Sequence, residues 1–270
     1  MDDWFSRAEV LDADALSDAI IDDDLQTALL AIEGARDHAD GCTATLDALA
    51  AEVATVRDET SDGFMALAAV LGTRRDFRGD PDHYRRPENS HLTKVLSNHR
   101  GLPVLLCCVW LLVARRVGVP IVGIALPGHF VLRDEESRRY ADPFEGGRIL
   151  TAMQCLELSA RASGEVPSAE MFTPCSLSNI VPRVLRNLVN HHTDVDDPRG
   201  AYRAARILAA IRPDDPEPQF LVAQVALNAR GPNAAAEVYE GIAERLGSSS
   251  AGELARRRAT ALRQRRDVLH

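Results

Sequence analysis

Lysine is nearly missing from this chain: of 31 basic residues, Lys94 is the one lysine and the others are arginine. With the bias spread over the whole sequence, no single arginine marks a function by its presence. Basic residues are also outnumbered, 31 against 40 acidic ones, so the formal charge is −9 and the footprint of a protein that coats nucleic acid is missing. Cysteines are few, and Cys42, Cys107, Cys108, Cys155 and Cys175 contain no C-x-x-C. That argues against a disulfide framework and for reduced thiols. No apolar run reaches the roughly 20 residues that a bilayer demands; the longest, Leu102 to Ala114, stops at Arg115-Arg116. The opening MDDWFSRAEV lacks the order of a secretory signal. The expectation is a cytoplasmic protein with no membrane span, no cofactor and no metal, and with nucleic acid an improbable partner.

What is there is mostly helical. Residues 1 to 75 place apolar residues three and four apart, as in LQTALLAIEGA and TATLDALAAEVATV, with Asp40-Gly41 as a break and Thr43 as an available cap. The polar segment RRDFRGDPDHYRRPENSH precedes a short helix, HLTKVLSNH, which Asn89 or Ser90 is placed to cap. The run that follows, RGLPVLLCCVWLLVARRVGVP, predicts a buried helix from Pro103 to Val117. Proline suits a first helical turn, and Gly118 suits the far end.

From Ile121 the pattern becomes extended: IVGIAL is a strand, and HFVLR and RRYADPF form a hairpin across the charged link Asp134 to Ser137. If Arg133 faces Arg138, His129 stands directly opposite Asp142. Cross-strand Cβ atoms lie roughly 5 Å apart on one face, so imidazole and carboxylate would meet. Pro127-Gly128 just before His129 lets the backbone bend. The plainer alternative is an ordinary strand histidine, with Asp142 starting the Asp142-Pro143 turn. After Cys175 only helical patterns occur. RGAYRAARILAAI from Arg199 and RGPNAAAEVYEGI from Arg230 echo each other at an offset of 31 residues, close to the roughly 34 of a helix-turn-helix repeat, which predicts a tetratricopeptide-like tail.

FRGDPDHYRRPENSHLTKVLSNHRGLP, LLVARRVGVPIVGIALPGHFVLR and YADPFEGGRIL closely resemble the SirB-type branch of the transglutaminase-like superfamily, and RVLRNL with the helices after it resembles that family's tail. The resemblance implies an α+β fold: a papain/transglutaminase-like core over residues 1–175, with a helical N-terminal part and a central helix packed on a small antiparallel sheet. An all-α tetratricopeptide-like tail over 176–270 follows. It also implies an acyl-transfer triad of Cys on a helix start, His on a strand and Asp on the next. His129 and Asp142 match the last two. Relatives with an intact triad read Gly-x-Cys before the long helix, and aligning Gly101 and Gly118 puts Pro103 where that Cys would stand.

Cys107 lies on the same helical face as Pro103 but one turn deeper, about 6 Å away, whereas a nucleophile and its base approach to about 3 Å. A thiol among leucines and valines is desolvated and stays neutral. Asn89, Cys107 and Gly128 are the expected lining of a vestigial pocket, and Arg85 and Arg86 stand near it. HHTDVDD (His191 to Asp197) is a poor metal motif, because adjacent histidines diverge on a helix. RRRATALRQRR reads as an exposed basic helix face. The expected function is a non-catalytic transglutaminase-like protein that binds a protein partner through its C-terminal helices. The alternative is a cysteine- or water-dependent amide hydrolase or acyltransferase using His129, Asp142 and a displaced Cys107. A third is a scaffold in which the His-Asp pair only fixes the hairpin.

Overall fold

The computed structural model describes residues 7–164 and 169–267; residues 1–6 and 268–270, which the helical readings of the two ends include, lie outside them. The chain divides into one unit of residues 18–184 and a second made of residues up to 17 and from 185 onward. Among the described residues no helix is long and apolar enough to cross a membrane.

Helices open the chain, as the apolar spacing predicts: α1 (Arg7–Ile21), α2 (Leu25–Glu33) and α3 (Ala39–Thr60). Asp40-Gly41 does not break the pattern. It sits in the first turn of α3, where an acid favours the helix dipole, and Thr43 is inside the helix, its hydroxyl accepting from Gln26 Nε2 at 2.7 Å. The short α4 (Gly63–Leu67) runs into a π-helical turn, Ala68–Arg74, which the sequence does not announce. In α5 (Leu92–Asn98) neither Asn89 nor Ser90 is the cap. Those residues form a 3-10 turn, Pro87–Ser90, and His91 takes the cap position without a side-chain bond.

The next helix, α6 (Pro103–Val117), has the expected bounds for the expected reasons. Pro103 occupies the first turn after an extended Leu102, and Gly118 closes it at φ 66°. Every residue from Val104 to Ala114 is buried, so the helix has no solvent face and must be covered all round. It packs against α2, α3 and α5 as well as the first two strands. Cations gather at its end, where the free carbonyls are: Arg116 Nη1 donates to Leu112 O at 3.0 Å and Arg57 Nη1 to Val117 O at 2.5 Å.

Four strands follow in a single antiparallel meander, β1 (Ile121–Leu126), β2 (His129–Asp134), β3 (Tyr140–Asp142) and β4 (Arg148–Leu150). The hairpin register differs from the expected one by two positions: Leu132 pairs with Ala141 and Arg133 with Tyr140, so Asp142 is not directly opposite His129. The turn is the cause. Asp134 accepts from Glu136 N and Ser137 N, each at 3.2 Å, and from the Ser137 hydroxyl, while Arg138 adopts φ 59°. That closes the link between Asp134 and Arg139, one residue later on each strand. Ile124, Leu126, Val131, Tyr140 and Leu150 then form a core with Cys155 of α7 (Ala152–Ser163). The chain continues into α8 (Leu177–Asp194), which contains Pro182.

The second unit contains α9 (Pro198–Ala210), α10 (Pro216–Arg230), α11 (Pro232–Leu246) and α12 (Ser250–Asp267). Helix starts recur every 34 residues, Pro198 to Pro232 and Pro216 to Ser250. Buried positions recur with them: Ala201, Tyr202, Ala205, Leu208 and Ala209 of α9 are matched by Ala235, Ala236, Tyr239, Ile242 and Ala243 of α11. The Arg-Gly echo has a different register, because Arg199-Gly200 lies inside α9 while Arg230-Gly231 joins α10 to α11. The arginines of α12 are not a bare basic face. Arg258 stacks over Phe220 at 5.2 Å and Tyr239 at 5.7 Å, and Arg263 forks onto Glu240.

Gly72 of the π-helical turn abuts the loop after β3 so closely that a Cβ there would collide with the Gly146 carbonyl oxygen. Gly72→Ala is therefore expected to destabilise the protein by about 1–3 kcal/mol. Gly41→Ala, whose new Cβ would meet nothing within 4 Å, should be neutral or stabilising by up to about 1 kcal/mol. Urea denaturation of the two variants checks the contrast.

Candidate functional site

His129 begins β2 and Asp142 ends β3, so both lie at the same end of the hairpin. A register shift of two preserves the alternation of strand faces, which is why the two side chains still approach. His129 Nδ1 stands 3.9 Å from Asp142 Oδ2, an ion-pair distance too long for a hydrogen bond. The carboxylate is buried, with 3 % of its side chain exposed, while the imidazole is 32 % exposed. Burial pushes the Asp142 carboxyl above its ordinary range, against the Phe144 amide and the nearby imidazole, which pull it down. Its position is set by backbone bonds: Phe144 N donates to Oδ1 at 2.9 Å, and Gly147 N donates to the Asp142 carbonyl at 2.9 Å.

Gly128 makes the tight connection from β1 to His129. Its φ is +72°, and an added Cβ would lie 2.5 Å from Cβ of Ala162 on α7, so both conformation and space require glycine there. On the other flank, α6 reaches β2 through Cys107, whose thiol donates to Phe130 O at 3.3 Å. This thiol is fully buried, and burial raises its pKa well above the ordinary value, with the Asp142 charge adding to the rise. Cys108 and Cys155 are both pushed up to about 12, again chiefly by burial. Thiolate chemistry is suppressed at all three positions.

Pro103 is half-buried at the start of α6 and offers no nucleophilic atom. Asn89 does not present its amide as a ligand-binding group: Nδ2 donates to His83 O at 2.8 Å, and the Asn89 carbonyl accepts from Leu102 N at 2.9 Å, tying the polar segment to the entry of α6. Arg85 and Arg86 are exposed. In the HHTDVDD segment His192 Nδ1 lies 2.8 Å from Asp197 Oδ2, and Asp197 also caps α9.

Three residues near the pair belong to the stretches that carry the family resemblance, yet nothing in the sequence sets them apart there: Tyr84, Phe144 and Arg183. Phe144 follows Asp142 and meets Tyr84 edge-on, with ring centroids 5.9 Å apart. Arg183, at the head of the RVLRNL motif, lies over the Phe130 ring at 5.5 Å. In a chain this rich in arginine, only tertiary placement separates Arg183 from the rest. Taken together, the arrangement brings a partly exposed imidazole within ion-pair distance of a buried carboxylate, beside thiols that are themselves buried.

The family model described as the transglutaminase-like superfamily matches residues 40–186. A UPF0162 protein of Xylella fastidiosa is 33 % identical over 163 residues, 57 % of this chain and 58 % of that protein. A UPF0162 protein of Pseudomonas aeruginosa is 29 % identical over 174 residues, 62 % of this chain and 63 % of that one. The matches to these bacterial relatives thus span about three fifths of their own length. F-box only protein 21 of Mus musculus is 27 % identical over 135 residues, 46 % of this chain and 21 % of its own length. No solved structure matches. With the family model covering more than half the chain, the chain belongs to the transglutaminase-like superfamily.

Proposed function

We propose that this protein, of the SirB-type branch, is a transglutaminase-like domain that does not perform acyl transfer and acts by binding another protein. The carrying observation is the nucleophile position: the helix start that the family motif assigns to cysteine holds Pro103, and the nearest thiol along the helix, Cys107, is buried and bonded to a backbone carbonyl. Five unpaired cysteines fit a reducing, cytoplasmic setting. We read residues 1–175 as the transglutaminase-like part and residues 176–270 as a tetratricopeptide-like part; the 34-residue recurrence of helix starts and buried positions supports the second. A cavity of about 470 Å³ among α9, α10 and α11, lined in part by Arg206, Val222, Gly241 and Arg245, offers the partner a seat. A second reading, in which His129 activates water for amide hydrolysis, draws on the exposed imidazole beside a buried carboxylate.

Iodoacetamide at neutral pH is expected to label Cys107 only as fast as the protein unfolds, and an electrophilic acyl-donor analogue should leave no covalent adduct by mass spectrometry. An adduct that disappears in His129→Ala would reverse the assignment. Hydrolysis of simple amides that His129→Ala abolishes would favour the second reading instead.

Asp142 supplies a pH test. Its folded pKa is raised, so the folded state holds this proton more tightly than the unfolded chain does. That stabilisation is complete below the unfolded value of about 4 and is lost as pH rises through the folded one. Asp142→Asn lacks this dependence, so its stability relative to the parent should increase as pH rises from about 4 through the titration of the buried carboxyl. Urea midpoints measured across that window decide it, and a flat difference would contradict burial as the governing influence.

The tail is tested by capture. Gly241→Leu projects into open space, since a Cβ at Gly241 meets nothing within 4 Å. It should leave unfolding unchanged while reducing recovery of the partner by affinity capture. Deletion from Pro198 onward should abolish recovery. Unchanged capture by the deleted form would move the binding surface to the other unit.

A further inference from the structure

Nearly every partly buried arginine in the unit of residues 18–184 has an acceptor. Arg57 bonds to Val117 O, Arg100 to Asp76, Arg116 to Asp47, Arg133 to Glu135, and Arg139 to Asp62. Arg183 differs: it is half-buried, yet among the described residues it has neither a hydrogen-bond acceptor nor an ion-pair partner. This is unexpected in a chain whose acidic side chains exceed its basic ones by nine. What the guanidinium does have is the face of Phe130 at 5.5 Å, which offsets part of its desolvation and leaves its planar fork of donors uncommitted. Phe130 is also the residue whose carbonyl receives the Cys107 thiol and whose chain neighbour is His129. Burial raises the pKa of Cys107, Cys175 and the phenol of Tyr84, and the charge of Arg183 opposes that rise at each, which places it in the neighbourhood of the candidate site.

A fork of donors held on an aromatic plane, in a partly desolvated position, is matched by a planar bidentate anion. We propose that Arg183 receives a carboxylate presented by a bound polypeptide, a C-terminal or an acidic side-chain group, set down on the Phe130 side of the candidate site. This rests on reading the site as one that binds rather than transforms, and it names the chemical group recognised. The aromatic pair Tyr84 and Phe144 supplies apolar surface for the residue that carries the carboxylate. Lysine in place of Arg183 would keep the charge but lose the fork, so it should retain only part of the affinity.

The test is a titration of the full chain with N-acetyl-glycylglycine, its C-terminal amide, and inorganic phosphate, followed by calorimetry and by the side-chain NMR signal of Arg183. The free acid should bind at least about tenfold more tightly than the amide, the effect of one charge-assisted bidentate pair, and should shift the Arg183 signal. Arg183→Gln should lose that advantage, and Arg183→Lys should retain part of it, with near-ultraviolet circular dichroism reporting that both are folded. Equal binding of acid and amide, undiminished binding by Arg183→Gln, a preference for phosphate over the carboxylate, or no binding of any probe at millimolar concentration each overturns the proposal. Release of glycine from the peptide, with Arg183-dependent binding intact, would sink the non-catalytic reading and leave the carboxylate site standing.

Discussion

Burial of α6 on all sides is the constraint on which the larger unit depends. A helix with no polar face cannot stand at a surface, so α2, α3 and α5 must cover part of it and the first two strands another part. Its side chains also reach the two places where the site residues are held. Cys107 bonds to the carbonyl of Phe130, the residue after His129. Trp110, one turn on, lies against Gly147, where a Cβ would come within 2.7 Å of its ring, and Gly147 N in turn bonds to the carbonyl of Asp142. One buried surface thus positions the strand that carries the imidazole and the loop that follows the carboxylate.

The hairpin shows how strand geometry tolerates one kind of error and not another. Shifting a register by one residue turns every side chain to the opposite face, whereas shifting by two only slides partners along the same face. Asp134 folds its carboxylate onto the turn amides and moves the closure one residue along each strand, so His129 and Asp142 become diagonal neighbours. Their 3.9 Å separation is the outcome: near enough for electrostatic coupling, too long for a bond that fixes the imidazole. One partner is buried while the other stays partly in water.

Arginine usage illustrates the limit of composition as evidence. With 31 basic residues and one lysine, the sequence offers many indistinguishable guanidinium groups. Folding sorts them: some cap helix carbonyls, some fork onto carboxylates, Arg258 of α12 stacks on Phe220 and Tyr239, and Arg183 is left on Phe130 without an anion among the described residues. The sorting depends on which residues meet across tens or hundreds of positions, and local pattern carries no record of that.

The sequence by itself determined the elements whose causes are local. Pro103 and Gly118 bounded α6 because proline and glycine act within one turn; a continuous β-branched run marked β1 and alternation marked β2; apolar spacing marked the closing helices. It also placed His129 and Asp142 on one face, since face depends only on parity. Tertiary structure decided the rest. It set the register, through the side chain of Asp134, and it carried α3 through Asp40-Gly41, where a first helical turn accepts both residues. It formed the π-helical turn around the close approach of Gly72 to Gly146, and it chose Arg183 from among its equals. Each of these depends on a contact between residues distant in the chain or on a competition between hydrogen bonds, and such outcomes exist only once the chain has folded.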